Sequence, residues 1–164
     1  MDGRVMIILQ LILYCLIFTG LVAFAVRGGA INGIYFYPKP VQERAFELEL
    51  IDRETVKRKR KQFMILFYAV LLLALLLIIG LWNGVSDFKM AYVQALLFLE
   101  VMNWYDGIVI DKVWVGHSKF WIIPGTEDLP FVPTWTQVLK KRGILTLVWA
   151  VGAAIVAGLA VLIF

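Results

Sequence analysis

Four long apolar stretches, separated by stretches rich in charge, glycine and proline, set the pattern of this chain. Val5 to Val26 is apolar apart from a few small or polar residues, Gln10, Tyr14, Cys15 and Thr19 among them. Phe63 to Leu81 carries no charge, a third run opens near Phe88, and a fourth fills Ile144 to Phe164. At a rise of about 1.5 Å per residue each run is long enough to cross a hydrocarbon core of roughly 30 Å. The expected fold is therefore an all-α integral membrane protein, one domain over 1–164, with spans at about 5–26, 63–82, 88–110 and 144–164. The first run is too long for a cleaved signal sequence and no A-x-A site follows it, so it is expected to be retained as a helix.

The intervening polarity predicts the connections, 27–62 and 111–143. Gly28, Gly29, Gly33, Pro38 and Pro40 punctuate the first, where Tyr35, Phe36 and Tyr37 suit the headgroup level. Val41 to Ile79 then holds neither glycine nor proline. This predicts a long helical rod from the first connection into the second span, supported by the pairs Glu49/Arg53 and Glu54/Arg58, with at most one bend near the basic run and Gln62. Trp82 to Lys89 contains an Asn-Gly turn signal, so the second and third spans should form an antiparallel hairpin. The third helix should reach at least Tyr105 and fits a helix as far as Val115. Pro124, Pro130 and Pro133 break the last connection, and Thr134 and Gln137 have the spacing of a capping box. In the fourth span Ala153/Ala157 and Ala154/Gly158 suit close helix packing, within the bundle or in a homodimer.

Charge turns this pattern into an orientation. Lys and Arg number nine in the first connection, five in the last and two elsewhere, Arg4 and Lys89. Such a bias predicts both termini outside and both long connections in the cytoplasm of a multi-pass cell-membrane protein. The run Lys57, Arg58, Lys59, Arg60 and Lys61 is expected to meet anionic lipid headgroups. Composition agrees, with 62% hydrophobic and 17% charged residues. The net charge of +4 is assigned to the cytoplasmic face and not to nucleic-acid binding. A single cysteine, Cys15, excludes an internal disulfide.

The candidate chemistry lies between Glu100 and Asp128. Glu100, Asn103, Trp104, Gly107 and Asp111 share one face of an α-helix, whereas Asp106 points about a third of a turn away. An acid within a membrane span is costly and marks a functional site by default. No Lys or Arg lies inside the apolar blocks, so Glu100 is expected to face the bundle interior and to meet Thr19, Tyr14 or Tyr68 at matching depth. Gln10 and Gln94 should pair nearer the other surface. Gly107 leaves a gap for a ligand or a close backbone.

Glu100, Asp106, Asp111 and His117 are the candidate catalytic groups, and Asn103, Trp104, Tyr68, Thr19 and Tyr14 the candidate ligand contacts. Two aspartates beside the only histidine suit acid/base work or a divalent cation, although no metal and no cofactor is assigned. Glu100 as a purely structural acid that joins helices is the competing expectation. Tyr105-Asp106 has no G-x-G-D partner, which excludes an intramembrane aspartyl protease. Phosphate loops, H-E-x-x-H and G-x-S-x-G are absent too. The expectation is a site in the inner half of the bilayer that binds a lipid-like or amphipathic molecule, with processing left open. The alternatives are a dimeric proton-coupled carrier and a non-catalytic subunit of a larger membrane complex.

Overall fold

A computed structural model describes residues 3–164, and every regular element among the described residues is helical. In chain order these are α1 (Gly3–Ala25), a short α2 (Lys39–Glu47), α3 (Arg53–Trp82), α4 (Phe88–His117) and α5 (Trp135–Ile163), with 3-10 turns at Ala30–Phe36 and Lys119–Trp121 in the connections. Helices α1, α3, α4 and α5 are each long and apolar enough to cross a membrane. Their outer faces are apolar: Ile8, Ile12 and Leu16 on α1 and Leu147, Val151 and Ile155 on α5 are all exposed. Gln10, Asn103 and Arg142 are instead buried. That distribution suits a bundle surrounded by lipid and not one surrounded by water.

The core is laid along one stripe of each long helix. Tyr14 and Phe18 of α1 and Leu71 and Leu75 of α3 meet Ala91, Ala95, Phe98 and Met102 of α4 and Ala153, Ala157 and Ala160 of α5. Alanines on both α4 and α5 let these two helices form the most extensive pair in the bundle. Ala153 and Ala157 are thus used internally, while Gly158 faces outward with open space around it.

Helix ends follow side-chain caps and not the limits of the apolar runs. Asp52 accepts from Thr55 N at 2.8 Å to start α3, and Asp87 accepts from Met90 N at 2.9 Å to start α4. The Thr134/Gln137 capping box starts α5. Consequently α3 and α5 begin well before Phe63 and Ile144, and α4 continues to His117, so parts of both expected connections are helical. The reason is physical: hydropathy marks where a helix enters lipid, whereas caps mark where it begins.

The rod expected from Val41 to Ile79 is interrupted ahead of the basic run. Between α2 and α3 the backbone turns at Glu49, which takes a left-handed φ of 54°. Arg53 crosses this corner to Glu43, donating to Oε1 at 3.0 Å, and stacks over Phe46 at 4.4 Å. The expected Glu49/Arg53 pair is therefore absent, and Glu54 pairs with Lys57 instead of Arg58. The Arg53 hydrogen bond holds the Glu43 carboxyl below its ordinary range, so it is charged at this corner.

The two ends of the bundle differ. At the hairpin end the last turn of α3 widens, with Asn83 N bonding Ile78 O at 2.9 Å, and Gly84 takes φ 61° in the turn to α4. Gly80 there has no room for a side chain, since a Cβ would lie 2.1 Å from the Phe164 ring at the end of α5. At the loop end the two long connections pack together. Tyr37 donates to Trp121 O at 2.6 Å, Trp121 meets Trp114 edge-on, and Arg44 pairs with Asp128 at 3.3 Å.

Candidate functional site

Helix α4 changes its winding where the candidate residues begin. From Asp106 to Trp114 it is a π-helix, and its end is marked by Val115 N bonding Ile110 O. Residues five apart lie about 140° apart on an α-helix. With i→i+5 bonding they share a face, much as residues four apart do on an α-helix. Asp106 and Asp111 are five apart, so the wide turns bring both carboxylates onto one side of α4. The α-helical wheel, which turns Asp106 away from Asp111, therefore does not hold over these turns.

Both carboxylates meet Arg142 of α5. Its guanidinium forms an ion pair with Asp106 Oδ2 at 2.6 Å and donates a hydrogen bond to Asp111 Oδ2 at 2.7 Å. The Arg142 side chain is 2% exposed, against 24% for Asp106 and 21% for Asp111. Gly107 permits the approach, because a Cβ there would lie 2.8 Å from Arg142 Nε and 2.9 Å from a Val138 methyl. The gap anticipated at Gly107 is thus filled by the arginine stem. The same turn of α5 is tied to α4 again: Asn103 Nδ2 donates to Arg142 O at 3.1 Å.

A cavity of about 530 Å³ opens beside this cluster. Phe18 and Val22 of α1, Phe63 and Phe67 of α3 and Met102 of α4 form its apolar walls. Asn103, Asp106, Asp111 and Arg142 form its polar side, and Tyr35 and Trp121 reach it from the connections. Burial pushes the Tyr35 phenol up to about 12, so it is a neutral group at this rim. A second cavity, about 660 Å³, adjoins it at Asp111, Val115, Trp121 and Lys141 and extends under Pro130 to Pro133. The first lies within the roughly 300–1,000 Å³ typical of small-molecule sites, with the usual mixture of apolar wall and a few convergent polar groups.

The sequence-predicted residues divide around this cavity. Asn103, Asp106, Asp111 and Tyr68 line it, Tyr68 from its exposed flank. Glu100 does not, since it turns toward α5, where its Oε2 accepts from Thr146 at 2.8 Å and from Asn103 at 3.5 Å. Thr19 meets Tyr105 at 2.8 Å and not Glu100. Tyr14 is fully buried with its ring edge-on to Phe98, and Trp104 is half-buried away from the cavity. His117 is exposed and hydrogen-bonds Lys112 O and Val113 O of its own helix end. It therefore does not join the aspartates, and Arg142 occupies the position between the carboxylates that a divalent cation would need. Gln10 and Gln94 do share a cluster, bridged by Asn83, which donates to Gln94 at 2.9 Å and exchanges hydrogen bonds with Gln10 at 2.7 and 3.2 Å.

Arg142 and Thr146 are the site-building residues that the apolar pattern missed. The signal was present in the Thr134/Gln137 capping box: a helix starting there carries Val138, Arg142, Leu145 and Trp149 down one side, in register with the core alanines. No protein-family model, no curated protein and no solved structure matches this chain.

Proposed function

We propose that this protein lies in the cell membrane with both termini outside and binds a lipid-like or amphipathic small molecule in the cavity beside Asp106, Asp111 and Arg142. The observation that carries this reading is the cavity itself, which sets the apolar side chains of Phe18, Val22, Phe63, Phe67 and Met102 against the ionic cluster of Asp106, Asp111 and Arg142. A purely polar ligand would leave the phenylalanine walls uncovered, and a purely apolar one would cut the partly exposed, Arg142-paired carboxylates off from water without a further polar partner; an amphiphile suits both sides. The excess of Lys and Arg in the two long connections supports placing the loop end in the cytoplasm. On that orientation the ionic side lies toward the inner headgroups and the apolar side toward the acyl chains. Asp106 and Asp111 are the groups positioned to act on such a ligand as acids or bases, with Arg142 holding them in place.

The test is native mass spectrometry of the full chain released from micelles, with organic extraction of whatever remains bound. A co-purifying amphiphile that is lost when Phe67 is replaced by Trp, which fills the cavity, is the expected result. Retention of no amphiphile under any mild detergent, in a chain that stays folded, would remove the basis for this reading.

A further inference from the structure

Two matched ladders border the cavity. On α3, Arg60, Met64 and Tyr68 follow at i, i+4 spacing, and on α5, Lys141, Leu145 and Trp149 do the same. Each ladder therefore presents a cation nearest the loop end, then a flexible aliphatic group one turn on, then an aromatic ring one turn further. Arg60, Met64, Tyr68 and Lys141 are exposed, and Leu145 and Trp149 are half-buried, although all six line the cavity. The cavity is thus open along the flank of the bundle, through a slot between α3 and α5.

The charge at this slot has a sign. Arg142 is committed to Asp106 and Asp111 and is buried, so its charge is already compensated. Arg60 and Lys141 form no salt bridge among the described residues, and Lys141 acts on Asp106 only through space. Their neighbours in the basic run are used otherwise, Lys57 with Glu54 and Lys59 with Asn32. With both carboxylates ionised, the cavity lining holds three cations against two acids, and the two cations outside the buried cluster stand at its mouth, on side chains long enough to reach a headgroup while their stems cover apolar surface. Basic pockets between membrane helices on the cytoplasmic side are suited to anionic headgroups.

We infer that the ligand is an anionic amphiphile, a phosphate or carboxylate on an aliphatic chain, that enters sideways from the bilayer between α3 and α5 with its headgroup held by Arg60 and Lys141. This rests on the amphiphile reading above and adds to it a charge, a route and two binding residues. A zwitterionic headgroup gains less from the pair, because its own ammonium group offsets the phosphate charge, and a cationic one is repelled. A soluble phosphate would gain the charge contact but leave Met64, Tyr68, Leu145 and Trp149 without a partner.

The experiment uses the full chain in phosphatidylcholine nanodiscs, photolabelled with lysophosphatidic acid bearing a diazirine in its chain and, separately, with lysophosphatidylcholine bearing the same chain. The anionic probe is expected to mark Met64, Tyr68, Leu145 or Trp149. R60Q/K141Q should lower that labelling about tenfold or more while the choline probe changes less than about twofold. R58Q/K61Q removes the same charge from α3 residues outside the cavity lining and should change neither. An equal loss in this control pair would overturn the proposal in favour of general surface attraction.

Equal marking of the slot by both probes in the parent would overturn the anionic preference and leave the amphiphile reading standing, whereas no marking of slot or cavity by either probe would overturn both. Excess inorganic phosphate should not displace the probe; displacement would mean a soluble ligand and sink the lateral route. Should R60Q/K141Q fail to fold, salt added to the parent decides the matter. Anionic labelling must fall with salt while choline labelling holds, and anionic labelling indifferent to salt overturns the proposal.

Discussion

The two polar clusters of this bundle lie at opposite ends and meet the cost of burial in opposite ways. At the hairpin end Gln10, Asn83 and Gln94 are neutral amides that satisfy one another, Gln10 being fully buried. At the loop end Asp106, Asp111 and Arg142 are charges whose pairing still leaves a cavity alongside and buried atoms unmet, among them Arg142 Nε and Asn103 Oδ1. A closed amide network fixes helix register and has nothing further to offer a ligand. A charged cluster is a weak source of stability, because desolvation offsets much of the attraction, so its position beside an open cavity points to use. A path through both halves of the bilayer, which a carrier requires, would have to pass the amide cluster. That contrast favours a ligand entering from the loop end or the flank over a carrier.

The largest effect should come from breaking the charged cluster on one side. Arg142→Met leaves two carboxylates facing each other without a cation and should cost about 3–5 kcal/mol. The checks are thermal unfolding in detergent and recovery of most of that loss in D106N/D111N/R142M, where no unpaired charge remains. If R142M unfolds at the parental temperature, the cluster is not the joint between α4 and α5. At the other end, Asn83→Ala strands the buried Gln10 amide and should cost about 1–3 kcal/mol without changing amphiphile retention. A loss of retention there would erase the distinction between the two ends. Gly107→Ala forces a Cβ against the Arg142 stem and should cost about 1–3 kcal/mol by overpacking. The same change at Gly158, which faces open space, is the control and should be close to neutral.

The comparison also shows which parts of the molecule were legible in the sequence. Four helices followed from hydropathy because lipid tolerates no unsatisfied backbone, and Asn83-Gly84 announced the hairpin. The amide cluster is half legible: Gln10 and Gln94 match by depth, but Asn83 beside Gly84 carries only a turn signal. The ionic cluster is not, for two reasons. Helical wheels assume a fixed 3.6-residue winding, and the π-helical turns from Asp106 to Trp114 violate it. Span boundaries drawn by hydropathy left Arg142 in a loop, although its capping box placed it inside α5. Depth alone also matches Thr19 with Glu100, whereas packing gives Thr19 to Tyr105, five residues further along α4.

Glu100 gives the smallest and most discriminating prediction, because it lies between the two kinds of cluster. Its Oε2 accepts from Thr146 and Asn103, as a structural acid would, while its Oε1 is buried without a partner. Glu100→Gln keeps an acceptor for the Thr146 hydroxyl and puts an amide in place of a carboxylate whose Oε1 is unpartnered. The exchange of one buried polar group for another of the same shape should therefore change stability by less than about 1 kcal/mol. Since Glu100 does not line the cavity, amphiphile labelling should also be unchanged across pH 5–8. A variant that melts like the parent but loses labelling, or loses a pH dependence that the parent has, would show Glu100 acting through Asn103 on the ligand. The polar side of the site would then extend one turn further along α4, toward the centre of the bundle.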